Sequence, residues 1–121
     1  MTNKKTLVIG ASEEPSRYAN MAIKSLRKHE HDVVAIGKTS GKVMDVNFDK
    51  KMEAFENVDT VTLYINPSRQ EAYYDYILSL KPKRIIFNPG TENIELERIA
   101  EGEGIETMEA CTLVLLSTGQ Y

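Results

Sequence analysis

The sequence TLVIGASEEPSR, residues 6–17, decides the fold of this chain. Its first four residues are apolar or β-branched, Gly10 follows them, and a pattern with a helical period begins after Arg17. A short run of this kind before a glycine predicts a strand, a tight turn and then a helix. Residues 6–17 are therefore expected to form the opening unit of an α/β nucleotide-binding fold.

The turn at Gly10 is suited to binding an anion. A glycine lets the backbone leave the strand at angles that a Cβ resists, and it brings main-chain N–H groups close to whatever lies above the strand end. The following helix directs its free N–H groups and positive dipole end at the same place, where a phosphate fits. Pro15 suits the region just before a helix, Ser16 is a candidate cap, and Arg17 is placed to reach a phosphate. The alternative is that Gly10 is only a turn glycine and Arg17 a solvated charge.

Composition narrows the class of protein. The chain has 121 residues, 41% of them hydrophobic and 27% charged, which fits one soluble domain spanning residues 1–121. The net charge of −3 and the pI near 5.4 argue against a nucleic-acid-binding protein. Cys111 is the single cysteine, so a reducing cytoplasm is the expected location. No apolar run approaches the ~20 residues that cross a bilayer, so no membrane association is expected.

A helix and a second strand are predicted next. After Arg17, apolar residues recur at helical spacing, at Ala19, Ala22, Ile23 and Leu26, which predicts a helix from about Ser16 to about Lys28. His29 and His31 follow and are expected to face solvent, because no cysteine or carboxylate cluster accompanies them at metal-ligand spacing. Residues 32–37 are apolar enough for a central parallel strand that is buried on both faces.

The second half of the chain alternates strands and helices. Met52 and Phe55 at helical spacing predict a short helix over residues 49–56. The other predicted elements are strands over residues 60–65, 83–87 and 105–108, a helix ending near Leu80, and a helix ending at Gly102 or Gly104. The helix ending near Leu80 is expected to pack through Ala72, Tyr73, Tyr76, Ile77 and Leu80. The apolar tail, residues 110–116, fits either a helix or a strand.

Strand–helix alternation predicts a Rossmann-like, doubly wound parallel sheet of about five strands with helices on both faces. Parallel neighbours need crossover helices, and right-handed crossovers place those helices on both sides of the sheet. Ligands of such sheets bind outside the carboxyl ends of the strands, where the strand order reverses. The loops at that edge are those after Ile9, Ile36, Ile65 and Phe87, and all four are polar or glycine-rich.

The loop GKTSGK, residues 37–42, follows the second strand and carries two lysines. In a nicotinamide-dinucleotide site, the end of this strand usually carries an acidic residue for the ribose hydroxyls. That acid is absent here, and Gly37 and Lys38 stand in its place. Lysine attracts a phosphorylated ribose that a carboxylate would repel, so Lys38 is a candidate phosphate ligand. The alternative is an ordinary polar loop, which is the preferred interpretation of Lys42.

Four segments together resemble the CoA-binding domain family, small Rossmann-like proteins similar to the N-terminal domain of the succinyl-CoA synthetase alpha subunit. The matching segments are residues 8–12 with Pro15 and Arg17, the strand into Asn66-Pro67, residues 84–90 with Asn93, and the late strand from Gly104 that leads to Cys111. The resemblance spans almost the whole chain. It departs from the family pattern at Lys38-Thr39 and at Glu109-Ala110.

The resemblance implies a CoA pocket over the first turn. It implies that Gly10, Ala11, Ser12 and Arg17 lie near the phosphates, and that the loop from Gly37, with Lys38, takes the adenosine side. It also implies that the Asn66-Pro67 and Asn88-Pro89-Gly90 loops line the pantetheine path. The expected cofactor is CoA or an acyl-CoA, without a metal.

No catalytic group stands out in the sequence. Ser12 has no histidine in a neighbouring loop, and Cys111 is expected to be a buried structural cysteine. We therefore expect a stand-alone CoA or acyl-CoA binding module, non-catalytic by itself, with a small-molecule nucleotide ligand and a protein partner that the sequence does not specify. Two alternatives stay open. One is an NAD(P)-type dinucleotide sensor or enzyme, with NADP the form that Lys38 permits, and the other is a protein-interaction domain derived from a nucleotide-binding fold.

Overall fold

A computed structural model describes residues 3–121 of the chain. The strands are β1 Thr6–Ala11, β2 Val33–Gly37, β3 Gly41–Val43, β4 Val46–Phe48, β5 Thr60–Leu63, β6 Arg84–Phe87 and β7 Glu106–Glu109. The helices are α1 Tyr18–Lys28, α2 Pro67–Gln70, α3 Tyr74–Leu80, α4 Ile94–Gly102 and α5 Thr112–Ser117, with a 3-10 turn over Glu71–Tyr73. Among residues 3–121, no helix is long and apolar enough to span a bilayer.

The described residues form a five-stranded sheet with the strand order β2-β1-β5-β6-β7, and all of its pairs are parallel. Thr6 of β1 lies opposite Val33 of β2 on one side and opposite Thr60 of β5 on the other. The chain builds the sheet in one direction from β1 to β2 and in the other direction from β5 to β7. The strand order therefore reverses between β1 and β5, which is where ligands of such sheets bind. The predicted Rossmann-like, doubly wound parallel sheet is confirmed.

Strand side chains alternate between two hydrophobic layers, one on each face of the sheet. Leu7 and Ile9 of β1 belong to the layer that α3 and α4 cover through Ile77 and Leu96. Val8, between them, belongs to the opposite layer, which α1, α5 and the β3–β4 hairpin cover. All five of these side chains are fully buried. Helices thus cover both faces, and the carboxyl edge of the sheet is left to the loops.

The second strand lies at the edge of the sheet, so its predicted central position is wrong. The β3–β4 hairpin covers its free side, with Phe48 buried and Asp49 bridged to Ile36. Val33 and Val34, at the start of the strand, are only half-buried. The hairpin therefore covers the side of β2 where the apolar pattern predicted a second parallel strand.

The helix predicted over residues 49–56 does not form in this described segment. The Gly37 N–H donates a hydrogen bond to the Asp49 carbonyl oxygen at 3.0 Å, which holds the start of the segment alongside β2. Met52 is 43% exposed, whereas Phe55 packs against the core. Met52 and Phe55 therefore do not lie on one buried helix face, although their spacing predicted that they would.

The helix predicted to end near Leu80 is present as α2, the 3-10 turn and α3. On its predicted face Ile77 is fully buried, Tyr73, Tyr76 and Leu80 are half-buried, and Ala72 is exposed. A 3-10 turn has three residues per turn, so it shifts the buried face relative to a continuous α-helix. The tail that fitted either a helix or a strand forms α5.

Polar and aromatic side chains close the amino ends of the strands. We call this set the amino-edge cluster, and its members are Thr6, His31, Thr60, Arg84 and Tyr121. Arg84 Nε donates to Thr60 Oγ1 at 2.7 Å, and its guanidinium carbon lies 4.3 Å from the centroid of the Tyr121 ring. The Tyr121 ring lies 4.9 Å from the His31 ring, centroid to centroid. The cluster thus buries an arginine and a histidine at the edge opposite to the loops of the carboxyl ends.

His31 is 3% exposed, so the prediction that it faces solvent is wrong. Its Nδ1 accepts a hydrogen bond from the Lys4 N–H at 2.9 Å, which the neutral ring permits. Burial lowers the pKa of His31, and the nearby His29 and Lys4 charges lower it further. His29 is half-buried, with its Nδ1 2.8 Å from the Ser25 carbonyl oxygen.

Candidate functional site

The β1–α1 turn begins at Gly10, where the conformation requires a glycine. Gly10 has a φ of +104°, and an added Cβ would lie 3.0 Å from the Tyr64 carbonyl carbon and oxygen. Ser12 tightens the turn, because its Oγ accepts a hydrogen bond from the Glu14 N–H at 3.1 Å. Asn20 of α1, which the sequence did not single out, donates from Nδ2 to the Ser12 carbonyl oxygen at 3.0 Å. The turn is therefore fixed to both the neighbouring strand and the helix.

Helix α1 begins at Tyr18 rather than at Ser16, and Ser16 is not its cap. The Ser16 hydroxyl instead donates to Glu14 Oε1 at 3.2 Å. Arg17 occupies the N-cap position with extended backbone and makes no side-chain capping bond within residues 3–121. The N–H groups of the first turn therefore stay available, and the positive end of the helix dipole faces the carboxyl edge.

A cleft of about 570 Å³ opens in front of this helix start. The four loops expected at the carboxyl edge meet here, after β1, β2, β5 and β6. Their contributions include Gly10, Ala11, Ser12 and Arg17, then Gly37, Lys38 and Thr39, then Ile65 and Arg69, and finally Pro89 and Thr91. The cleft thus lies where the strand order reverses, between β1 and β5.

Cationic side chains face this cleft. Arg17, Lys38 and Arg69 line it, and none of them forms a salt bridge within the part of the chain that the structure describes. Glu13 and Glu14 also line the cleft, and Glu13 Oε2 accepts a hydrogen bond from a backbone N–H of β3 at 2.9 Å. Together with the open helix start, the three cations favour an anion with several negative charges.

Most of the predicted site residues line the cleft. These are Gly10, Ala11, Ser12, Arg17, Gly37, Lys38 and Pro89. Asn88 lines a smaller adjoining chamber, and Asn66, Pro67 and Gly90 are not among the residues that line either space. The contact of each of these residues with a ligand stays a prediction.

Asn66 and Pro67 build the start of α2 and so place Arg69. Asn66 Oδ1 accepts hydrogen bonds from the Ser68 hydroxyl at 2.6 Å and from the Arg69 N–H at 3.1 Å, and Pro67 follows as the first helical residue. Arg69 was not among the predicted site residues. Its signal is the same as that of Arg17, a basic residue beside a helix start at the carboxyl edge.

Asn88 joins three elements with its amide. Its Nδ2 donates to Thr62 Oγ1 at 2.6 Å and to the Leu63 carbonyl oxygen at 2.9 Å. Its Oδ1 accepts from the Thr112 N–H at 2.9 Å. Both amide protons and the carbonyl oxygen are thus used inside the protein, and Asn88 is 2% exposed. Asn88 therefore shapes the site by holding the ends of β5 and β6 and the start of α5 together.

Gly37 permits close packing beneath the cleft. An added Cβ would lie 2.6 Å from the Ala11 carbonyl oxygen and 2.9 Å from the Phe48 ring. The glycine that the resemblance assigned to the adenosine side is therefore required by the contact between β1, β2 and the hairpin. Lys38 follows at the rim of the cleft, where its side chain is exposed.

Gln70 fastens two walls of the cleft to each other. Its side chain is fully buried, and Nε2 donates to the Ile65 carbonyl oxygen at 3.0 Å and to the Thr91 carbonyl oxygen at 2.8 Å. Asn93 Nδ2 in turn donates to Gln70 Oε1 at 2.9 Å. The loops after β5 and β6 are therefore one connected unit. The sequence analysis did not single out Gln70. Its only signal in the sequence is that of a glutamine next to the apolar face of the helix that ends near Leu80.

The smaller chamber has a volume of about 210 Å³ and shares three walls with the cleft. Tyr18, Tyr64 and Pro89 line both spaces, and the remaining walls are Asn88, Cys111 and Leu113. Cys111 is half-buried rather than buried as expected, because it borders this chamber. The Tyr64 hydroxyl is buried and has no hydrogen-bond partner among the described residues. Burial raises the pKa of Tyr64 to about 12.

Solved structures share this architecture. A crystal structure of an uncharacterized protein is 50% identical in sequence, covers 100% of both chains and has a TM-score of 0.97. Cell-free ID.343 from Thermus thermophilus is 22% identical, with a TM-score of 0.86 over 98% of this chain and 91% of that chain. A dinucleotide-forming acetyl-coenzyme A synthetase 1 from Ca. Korarchaeum cryptofilum, in complex with phosphate and ADP, is 20% identical, with a TM-score of 0.72 over 88% of this chain and 25% of that chain.

The sequence comparisons identify the family. A search of curated proteins found no match. The family described as CoA binding domain matches residues 4–117, which is nearly the whole chain. The match confirms the resemblance that the four segments of the sequence suggested, and this chain belongs to the CoA binding domain family.

Proposed function

We propose that this chain is a stand-alone module that binds CoA or an acyl-CoA and is non-catalytic by itself. The observation that carries the proposal is the set of three cations without ionic partners, among residues 3–121, around a cleft that begins at an uncapped helix start. CoA brings a diphosphate and a ribose 3′-phosphate in one elongated molecule. The family supports the choice of ligand, and the cations support its position.

The diphosphate is expected in front of α1. The first-turn N–H groups point there, and Gly10 leaves the approach to the backbone free of a Cβ. Arg17 offers a planar fork of donors that matches phosphate oxygens. Arg69 faces the same cleft from the loop after β5. We therefore expect both arginines to contribute to affinity.

The adenosine end is expected beside the loop after β2. Lys38 and Thr39 line the cleft at this point. A carboxylate in this place would hydrogen-bond the free ribose hydroxyls of NAD, whereas a lysine attracts a ribose phosphate. CoA is therefore expected to bind more tightly than dephospho-CoA, which lacks the 3′-phosphate.

Binding without catalysis is proposed because the Ser12 hydroxyl donates no hydrogen bond to a histidine or a carboxylate among residues 3–121. The Ser12 hydroxyl oxygen accepts from the Glu14 N–H, and neither histidine is among the residues that line the cleft. His31 lies in the amino-edge cluster, at the opposite edge of the sheet. Cys111 is a free thiol, and we propose the cytoplasm, a reducing compartment, as the location.

Calorimetric titration and thermal unfolding with CoA, dephospho-CoA, NAD and NADP test this proposal. A ligand that binds only the native state raises its stability, by about 2.7 kcal/mol at a concentration 100-fold above Kd. We expect the largest shift with CoA and a smaller one with dephospho-CoA. A shift with NADP and none with CoA would replace the proposal with a dinucleotide sensor or enzyme. No shift with any of the four would favour a protein-interaction domain.

A further inference from the structure

The chamber beside the cleft differs from the cleft in its chemistry. Rings of tyrosine and proline, Leu113 and the Cys111 thiol form most of its wall, and no charged side chain among residues 3–121 lines it. The Asn88 amide is fully engaged inside the protein, so it offers no free polar group to the chamber. An apolar group that leaves water for such a space is stabilised, whereas a charged group is excluded.

The chamber also adjoins the cleft. Tyr18, Tyr64 and Pro89 line both the cleft and the chamber. Tyr18 directly follows Arg17, the cation at the start of α1. A ligand whose phosphates meet this helix start therefore reaches the chamber with the part that extends beyond its phosphates. For CoA, that part is the pantetheine arm with its terminal sulfur.

The Tyr64 ring forms part of the wall that the cleft and the chamber share. Its hydroxyl is buried inside the protein, near Thr62 and Thr112, so it offers no donor to a bound group. The shared wall is therefore apolar, and a group that gains from burial there is an apolar one.

We propose that the chamber holds the acyl group of a short-chain acyl-CoA, packed against Tyr18, Tyr64 and Leu113. This inference rests on the proposed CoA-binding function and names the form of CoA that the site prefers. The chamber volume of about 210 Å³ equals about seven groups the size of a water molecule, at ~30 Å³ each. An acyl group of about two to five carbons fits this volume, and a chain of about eight carbons exceeds it.

Calorimetric titration of the full chain with CoA, butyryl-CoA and octanoyl-CoA tests the inference. We expect butyryl-CoA to bind about tenfold more tightly than CoA, and octanoyl-CoA to lose that gain, because apolar burial strengthens binding only while the chain fits. Equal affinities for CoA and butyryl-CoA would overturn the acyl subsite and leave the proposed CoA-binding function standing. Absence of binding by all three would overturn the proposed function itself, and the subsite with it.

One variant tests the walls of the chamber. Leu113→Trp fills the space and is expected to reduce the ratio of the Kd for CoA to the Kd for butyryl-CoA from about ten to about two. The matched control is Val114→Trp, because Val114 is on the same helix and 54% exposed, and it should keep the ratio near ten.

Circular dichroism and thermal unfolding establish that each variant is folded before titration. The comparison of CoA with butyryl-CoA on the unchanged chain tests the inference even where Leu113→Trp fails to fold. An unchanged ratio in a folded Leu113→Trp would overturn the acyl subsite.

Discussion

Arginines lie at both edges of the sheet, but they are exposed at one edge and buried at the other. At the carboxyl edge, Arg17 and Arg69 are exposed and form no salt bridge within the described range, residues 3–121. At the amino edge, Arg84 is 8% exposed, donates to Thr60 Oγ1 and lies 4.3 Å from the Tyr121 ring centroid. The carboxyl edge leaves its arginines without ionic partners in this range, whereas the amino edge packs its arginine against groups of the chain itself, with Arg84 Nη2 buried and without a hydrogen-bond partner among residues 3–121.

The difference shows that the role of an arginine depends on the edge of the sheet at which it lies. At the amino edge an arginine packs inside the protein, and at the carboxyl edge it stays available to a ligand. Burying a charge costs several kcal/mol unless hydrogen bonds and opposite or polarisable groups surround it, so Arg84 at the start of β6 needs Thr60 and Tyr121. Arg17 and Arg69 follow the ends of β1 and β5, where helix starts already favour an anion. Free cations in that position add little to stability and are available to a phosphate.

The largest expected effect is the loss of the buried arginine. We expect Arg84→Ala to lower the free energy of unfolding by about 3 kcal/mol, because it removes a charged hydrogen bond and a buried cation–π contact. Urea unfolding measures this change. The control Arg98→Ala removes an exposed arginine from α4 and should change the free energy by less than about 0.5 kcal/mol. If Arg84→Ala folds with unchanged stability and binds CoA more weakly, the claim that the amino-edge arginine serves stability and the carboxyl-edge arginines serve binding is wrong.

The exposed arginines are expected to affect binding rather than stability. Arg17→Ala and Arg69→Ala should each raise the Kd for CoA about tenfold, or about 1.4 kcal/mol, and leave the free energy of unfolding within about 0.5 kcal/mol. Calorimetry at low and high salt measures the effect, which screening reduces. Lys28→Ala, at the far end of α1, is the control and should bind CoA as the unchanged chain does. Unchanged affinity in both arginine variants would show that these cations do not meet the phosphates.

The smallest expected effect is the pH dependence of the amino-edge cluster. Burial, with help from nearby His29, Lys4 and Arg84, lowers the pKa of His31, so the unfolded chain binds a proton more readily than the folded chain does. The free energy of unfolding should therefore decrease as the pH falls below about 6.5, the ordinary pKa of histidine.

Urea unfolding at about pH 7 and about pH 5.5 measures this dependence. His31→Asn should flatten it, and His29→Asn is the control that should largely preserve it. Equal pH dependence in the two variants would show that titrating groups outside the amino-edge cluster cause the effect.

Local patterns in the sequence were enough to predict the sheet. Alternating strands and helices leave few topologies, so the parallel order and the ligand edge followed from residues 6–17 and the strands after them. The edge position of β2 was not predictable in this way, because the hairpin that covers it has only three residues in each strand. The burial of His31 could not be predicted from its neighbours in sequence, because Tyr121, whose ring lies 4.9 Å from the His31 ring, comes from the other end of the chain.

In the candidate site, the sequence was informative where residue type and backbone position coincide. Gly10 and Arg17 were singled out because a strand end, a glycine and a helix start are adjacent. Asn66 and Asn88 were singled out as part of a resemblance, but their hydrogen bonds lie within the protein. Those of Asn66 are local and form a helix cap, whereas those of Asn88 depend on distant partners. Arg69 carried the same signal as Arg17, and its place in the cleft became evident only from the geometry of α2.

Gln70 also bears on how fast a ligand associates. By donating to the Ile65 and Thr91 carbonyl oxygens, it sets the separation of two walls before any ligand arrives. Loops that are already ordered lose little conformational entropy on binding, and their closure does not limit the association rate. In stopped-flow measurements CoA is therefore expected to associate in one step, at a rate that rises linearly with its concentration. The flexible arm of the ligand, rather than the protein, then changes conformation on binding.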